Sequence, residues 1–295
     1  MNKQKVWLDT DIGNDIDDAV ALAYLLKKPE CDLLGITTVT GQSIERAKIA
    51  DALCKIASKN IPIFPGIDEP LFAPQRQGYP PQARFLADWE HDKNFKENYA
   101  IEAMYEAIVK NPGEVTLIAI GPMTNVALLF KVHPDVRKLL KDVVLMCGEF
   151  FGKSEYLRLE NEWNAFCDPY AAAIVYNMPD IAIRSIGLDV TTKVVMTAQE
   201  VKDSYTSPLL KAVYEFSEIT TGQRSNITYH DPLAAVSIFK PEIMTYETGK
   251  VSVELRGERV MGRTYFDKDE NGLHTAALTV DKNAFYKEYF DIANS

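Results

Sequence analysis

The chain has 295 residues, enough to bury a sizeable core in one large domain or two small ones. An apolar fraction of 46% and a charged fraction of 25% are ordinary for a globular protein. A net charge of −10 without any basic block argues against nucleic acid and anionic membranes as partners. In chain order, residues 5–8 (KVWL) read as a short buried strand and 17–28 as a helix stopped by Pro29. Residues 31–39, CDLLGITTV, form a β-branched strand. Residues 43–58 are helical with Ser43 as N-cap, and 61–64 make a short strand. Residues 65–94, rich in Pro, Gly and Gln, read as a long loop of the kind that often forms a functional lid. The alternation resumes with a helix at 97–110, a strand at 114–120 and a helix at 122–130 with Pro122 in its first turn. A strand at 142–147, a helix at 168–176 and a strand at 181–187 follow. Helices are expected at 208–221 and 232–239, then RVMGRTYF and LHTAALTV flank DKDENG as an antiparallel hairpin. A last helix starts at the N-cap Asp281.

Repeated βα units imply an α/β fold. The expectation is an open, mainly parallel, Rossmann-like sheet with helices on both faces and a small antiparallel C-terminal hairpin. No repeat, low-complexity tract or linker interrupts residues 1–295, which read as a single domain. Cys31, Cys54, Cys147 and Cys167 lie in apolar contexts and never as C-x-x-C, so they read as buried, reduced thiols. MNKQKVWLD reaches acidic residues before any long apolar stretch, so no signal peptide and a cytoplasmic location are expected. AVALAYLL is far too short for a membrane span.

The chemistry concentrates where strands end. Open α/β sheets bind ligands beyond the carboxyl ends of their strands. After the first strand, DTDIGNDIDD places Asp9, Asp11, Asp15, Asp17 and Asp18 within ten residues. Later strand ends bring Gln42, then Gly121, Thr124 and Asn125, then NEWN (residues 161–164). His230 and Asp231 stand at another helix start. A single aspartate at a helix start ordinarily serves as an N-cap or complements the helix dipole. That accounts for one or two acids, not five. The half charge of a helix N-terminus cannot neutralise such a crowd, whereas a hard divalent cation can. Calcium, with six to eight oxygen ligands, suits the donors; magnesium is the other hard cation. Softer metals want His or Cys, which these motifs barely offer. A calcium-hand loop fails, because Gly13 and Val20 fall on its ligand positions. A haloacid-dehalogenase-type phosphatase would begin D-x-D-x-T/V, and here Gly13 takes the Thr/Val place.

Taken together, the motifs resemble those of the nucleoside hydrolases, the inosine-uridine-preferring N-ribohydrolase family. DTDIGNDIDDAVAL stands against the family's D-T/C-D-P-G-x-D-D-A-x-A-L. GITTVTGQ, AIGPMTNVAL, DVVLMCGEFFG, EWNAFCDPYAA and YHDPLA follow in the family's order over nearly the whole chain. The resemblance implies calcium-dependent hydrolysis of the N-glycosidic bond of ribonucleosides to ribose and free base, by metal-activated water with Asp11 as general base. It implies calcium held by Asp11, Asp18, Asp231 and the backbone carbonyl of Ile120. Asp17 would hold ribose hydroxyls. Glu162 and Asn164 would hold the 5′ and 3′ hydroxyls, with Trp163 near the base. His230 would face the leaving base as acid, and Asp9 would orient the metal ligands from behind. Family members commonly form homodimers or homotetramers and serve purine and pyrimidine salvage.

Several positions depart from the pattern. Ile12 replaces the family Pro, and two inserted residues make Asp15 an extra acid that is an alternative metal ligand. Gln42 stands for the family Asn near the ribose, and Asn161 is the nearest match to an Asn that precedes the E-F-N motif. The base-side loop APQRQGYPPQ (residues 73–82) has no His. Two alternatives stay open: the phosphatase, and a catalytically weakened ribose-binding homologue.

Overall fold

The computed structural model describes residues 3–153, 155, 161–217 and 225–295. The first half runs β1 (Gln4–Thr10), α1 (Asp17–Lys27), β2 (Cys31–Thr38), α2 (Ser43–Ile56) and β3 (Ile63–Pro65). A 3-10 helix, Pro81–Asp88, lies inside the expected long loop. Next come α3 (Ala100–Lys110), β4 (Val115–Ala119), α4 (Thr124–Val132) and β5 (Asp142–Leu145). Then follow α5 (Trp163–Cys167), α6 (Pro169–Tyr176), β6 (Ile183–Ser185) and α7 (Leu188–Thr191). The last third holds β7 (Val195–Thr197), α8 (Ala198–Ser204), α9 (Pro208–Phe216), β8 (Asn226–Thr228) and α10 (His230–Ser237). It ends with β9 (Met244–Val253), β10 (Thr264–Lys268), β11 (His274–Val280) and α11 (Lys282–Ala293).

A nine-stranded sheet in the order β10-β9-β11-β6-β5-β4-β1-β2-β3 carries both halves of the chain. Its central strands are buried on both faces, which is why they read as continuous apolar runs. Val6, Leu8, Ile118 and Val144 face one apolar cluster together with α1, α2, α9, α10 and α11. Trp7, Leu117, Val143 and Leu145 face the other, built with α3, α4 and α6. The period-2 alternation of strand side chains feeds both cores at once. The expected α/β architecture with helices on both faces is therefore present. Among the described residues, no helix is long and apolar enough to cross a membrane.

The C-terminal antiparallel hairpin is there, with different partners. β9 and β10 form it, Thr264 pairing with Val253, and β11 lies on the other edge of β9. The stretches around DKDENG thus both pair with β9 rather than with each other. β11 then joins the main sheet parallel to β6. β7 and β8 form a separate antiparallel pair. Two boundaries also move. Gln42, not Ser43, occupies the cap position of α2, and residues 218–221 of the expected helix at 208–221 fall outside the described residues.

β1 and β4 are neighbours, and the chain winds outward from them in opposite directions, to β2 and β3 on one side and to β5 and β6 on the other. That reversal opens a crevice at the carboxyl ends of β1 and β4, the usual place for a ligand in a doubly wound sheet.

Candidate active site

The acidic motif leaves the end of β1 into this crevice. Asp9, the last acid inside the strand, is fully buried. Its Oδ1 accepts from Thr37 Oγ1 at 2.6 Å and Asn125 Nδ2 at 2.8 Å. Among the described residues its Oδ2 has no hydrogen-bond partner. Burial pushes the Asp9 carboxyl up to about 7, against those two hydrogen bonds and with some help from the nearby Asp11 charge. Asn125 also donates to the Thr38 carbonyl and accepts from the Ile67 backbone, so Asp9 is anchored at the seam of three segments.

Asp17 and Asp18 open α1, whose cap residue Ile16 offers no side-chain hydrogen bond. Asp231 sits in the first turn of α10. α1 and α10 pack against each other, which brings the three acids together. Oxygens of Asp17, Asp18 and Asp231 lie within 4.8 Å of one another, and all three residues are buried. Desolvation, and then the charges of their carboxylate neighbours, raise both Asp18 and Asp231 well above the usual carboxylate range. Thr10 Oγ1 donates to Asp18 and accepts from the Ile12 backbone N–H. This donor set is hard oxygen throughout, with the dipole ends of two helices beside it, and it fits a hard divalent cation. Asp11 stands close enough to act on Asp18 and Asp231 electrostatically but outside that mutual 4.8 Å group.

These acids form one wall of a cavity of about 560 Å³, lined also by Asp11, Asp15 and Ile120. The opposite wall comes from the segment after β5. Glu162 is the N-cap of α5 and accepts from the backbone N–H groups of Asn164 (2.7 Å), Ala165 (3.0 Å) and Gly148 (3.1 Å). Burial raises its carboxyl, and these three donors oppose the rise. Asn164 Nδ2 donates to the carbonyls of Ile120 at 2.8 Å and Met146 at 3.0 Å, so it touches the oxygen expected to serve the metal. Trp163 is 48% exposed at the rim, and Asn161 donates to the Met261 carbonyl at 2.8 Å. His230 faces the same cavity from the start of α10, with Nδ1 2.7 Å from Thr191 Oγ1. Pro81 and Leu188 supply apolar lining.

The structure brings nearly all the expected site residues to this cavity. Two do not line it: Asp9, expected behind the metal ligands, lies buried in β1, and Gln42 has a left-handed backbone (φ 60°) and an exposed side chain. Asp17, expected to hold ribose, shares the carboxylate cluster with Asp18 and Asp231. Two buried residues near Asp11 were not foreseen. Arg46 lies within the apolar face of α2, and Gln77 lies in the loop without His. Neither carries a local motif; only the fold brings them to the acids.

Solved structures that share this fold include nucleoside hydrolases. A plant nucleoside hydrolase, PpNRh1, aligns with a TM-score of 0.86 and 26% identity over 99% of each chain. The purine-preferring ribonucleoside hydrolase from Gardnerella vaginalis shares the fold, with a TM-score of 0.82 and 23% identity over 98% of each chain. Fold and site together define an enzyme of the nucleoside hydrolase class.

The family described as inosine-uridine preferring nucleoside hydrolase matches residues 6–287, and the chain belongs to it. Among its relatives, the non-specific ribonucleoside hydrolase RihC of Escherichia coli (strain SMS-3-5) is 34% identical over 275 residues, covering 90% of this chain and 88% of that protein. Uridine nucleosidase 1 of Arabidopsis thaliana is 30% identical over 290 residues, covering 90% of this chain and 82% of the relative. Family membership leaves the phosphatase alternative without support.

Proposed function

We propose that the chain hydrolyses the N-glycosidic bond of ribonucleosides with calcium as cofactor, releasing ribose and free base. The observation that carries this reading is the meeting, across one cavity, of the buried Asp17, Asp18 and Asp231 cluster with Glu162, Asn164 and His230. Asp18, Asp231, Asp11 and the Ile120 carbonyl would hold the ion, and the position of Asp17 makes it a further candidate ligand. When bound, a hard cation neutralises the carboxylates and polarises water and the ribose diol. Asp11 takes the proton of the attacking water as general base. Glu162 and Asn164 orient the sugar, and the remaining carboxylates favour positive charge developing on it. His230 supplies a proton or hydrogen bond to the departing base. Asp9, hydrogen-bonded to Thr37 and Asn125, steadies the end of β1 behind these groups. The assembly proposed is a homodimer or homotetramer, which light scattering tests directly.

The functional test is incubation with inosine, uridine, cytidine, adenosine and their deoxy forms, with and without a strong calcium chelator. Free base and reducing sugar are measured, with phosphate release as control. Base and sugar appearing together, and stopping with chelator, is the expected result. Saturable nucleoside binding without base release would instead favour the catalytically weakened ribose-binding homologue.

A further inference from the structure

The inserted Asn14–Asp15 pair and the loop without His form one hydrogen-bonded unit around Asp11. Gln77 is 2% exposed, and its Nε2 donates to Asp11 Oδ2 at 2.6 Å. Its Oε1 accepts from Asn14 Nδ2 at 2.8 Å and from Arg46 Nη2 at 3.0 Å. Two donors on Oε1 fix which end of the amide faces Asp11, so the donor end must point at the carboxylate. Arg46, fully buried, holds the surrounding backbone. It donates to the carbonyls of Asp11, of Ile12 at 3.1 Å and of Thr40 at 2.8 Å. Gln82 completes the clamp, its Nε2 donating to the Asp15 carbonyl at 2.7 Å and its backbone to the Gly13 carbonyl at 3.0 Å. The approach depends on Gly41, where a Cβ would stand 2.2 Å from the Gln77 carbonyl oxygen.

We propose that Gln77 is the positioning residue of Asp11, and that Asn14 and Asp15 are the spacer that lets the 75–82 loop deliver it. Gln77 does not line the cavity; Pro81 is the loop residue that does. Its amide therefore acts on the base through Asp11 and not on the nucleoside. A charge-assisted hydrogen bond from a buried amide fixes the plane of a carboxylate that must both meet a cation and accept a proton. Gln42, at the place of the family's asparagine, does not reach the cavity, so the amide near Asp11 comes from a different loop.

This inference rests on the reading of Asp11 as general base, and the test separates the two. Gln77→Leu is compared with wild type for kcat, KM, melting temperature and, on chelator-treated protein, calcium Kd by titration calorimetry. Loss of an orienting partner behind a metal ligand is expected to lower kcat about 10–100-fold and to weaken calcium in the same range. KM should stay within about threefold, because substrate contacts are intact. Gln77→Glu keeps the length but sets a second carboxylate against Asp11, so its kcat should fall further; it serves also if the Leu variant does not fold. In an Asp11→Asn background, Gln77→Leu should leave calcium Kd where Asp11→Asn alone puts it, because the effect runs through one side chain. A kcat within twofold of wild type in the Leu and Glu variants, or a loss carried in KM, overturns the proposal. Full turnover in Asp11→Asn alone overturns the general-base reading instead, while the calcium comparison still reports on Gln77.

Discussion

At the scale of the residue, Asp11 carries the heaviest chemical demand. It is 6% exposed, and burial raises its carboxyl, while the Arg46 charge and the Gln77 hydrogen bond pull the other way. An Asn in its place keeps shape and removes both the charge and the proton acceptor. Asp11→Asn should therefore fold with little change in melting temperature and lose activity by about 10²–10⁴-fold or more. Steady-state kcat on the best nucleoside is the measurement, and wild-type turnover would remove Asp11 from the mechanism. The acids of this site were readable from sequence because like charges so close together are costly without a counter-charge. Arg46 was not, because a helix position pointing inward looks apolar until its partners are known. Thr10, inside DTDIGNDIDD, carries no signal in sequence because its hydroxyl acts only once β1 and α1 are folded against each other.

At the scale of the element, the site depends on how closely β4 approaches β1. A Cβ built on Gly121 would lie 2.8 Å from both the backbone nitrogen and Oδ1 of Asp11, and 2.9 Å from Val39 Cγ1. Gly121→Ala must then push the end of β4 away or rotate the Asp11 carboxylate. Overpacking of this kind costs about 1–3 kcal/mol. The melting temperature should fall by several degrees and kcat at least about tenfold, the second loss reflecting lost geometry. Gly78→Ala, with no atom within 4 Å of the added carbon, is the control and should be near silent in stability. Equal behaviour of the two variants would show that the approach at Gly121 is slack. Elements were legible in proportion to burial. β1, β4 and β5 are apolar on both faces and stood out. β9, MTYETGKVSV, is only partly buried and broken by Gly249, so nothing in its pattern marked it as the partner of both β10 and β11. The short α5 is illegible in sequence for a similar reason: five residues give no helical period, although Glu162 is its cap.

At the scale of the whole molecule, the acid cluster makes stability depend jointly on pH and on cation. In the folded chain Asp18 and Asp231 are raised well above the usual carboxylate range, and Asp9 reaches about 7, chiefly through desolvation. In the unfolded chain these groups return to the ordinary aspartate value of about 3.9. Between the two values the folded state binds more protons than the unfolded state, so stability of the chelated protein falls as pH rises from about 4 through 7. A bound cation acts in the opposite sense. It requires deprotonated ligands, so its affinity rises as those protons leave. Ligand at a hundredfold excess over Kd adds about 2.7 kcal/mol to the folded state. The gap in melting temperature between calcium-loaded and chelated protein should consequently be small near pH 5 and several degrees wider at pH 8. Scanning both forms across that range measures it. A gap that is absent, or constant with pH, would mean that the cluster formed by α1 and α10 does not take the ion, and with it the proposed role of calcium in this chain would fail.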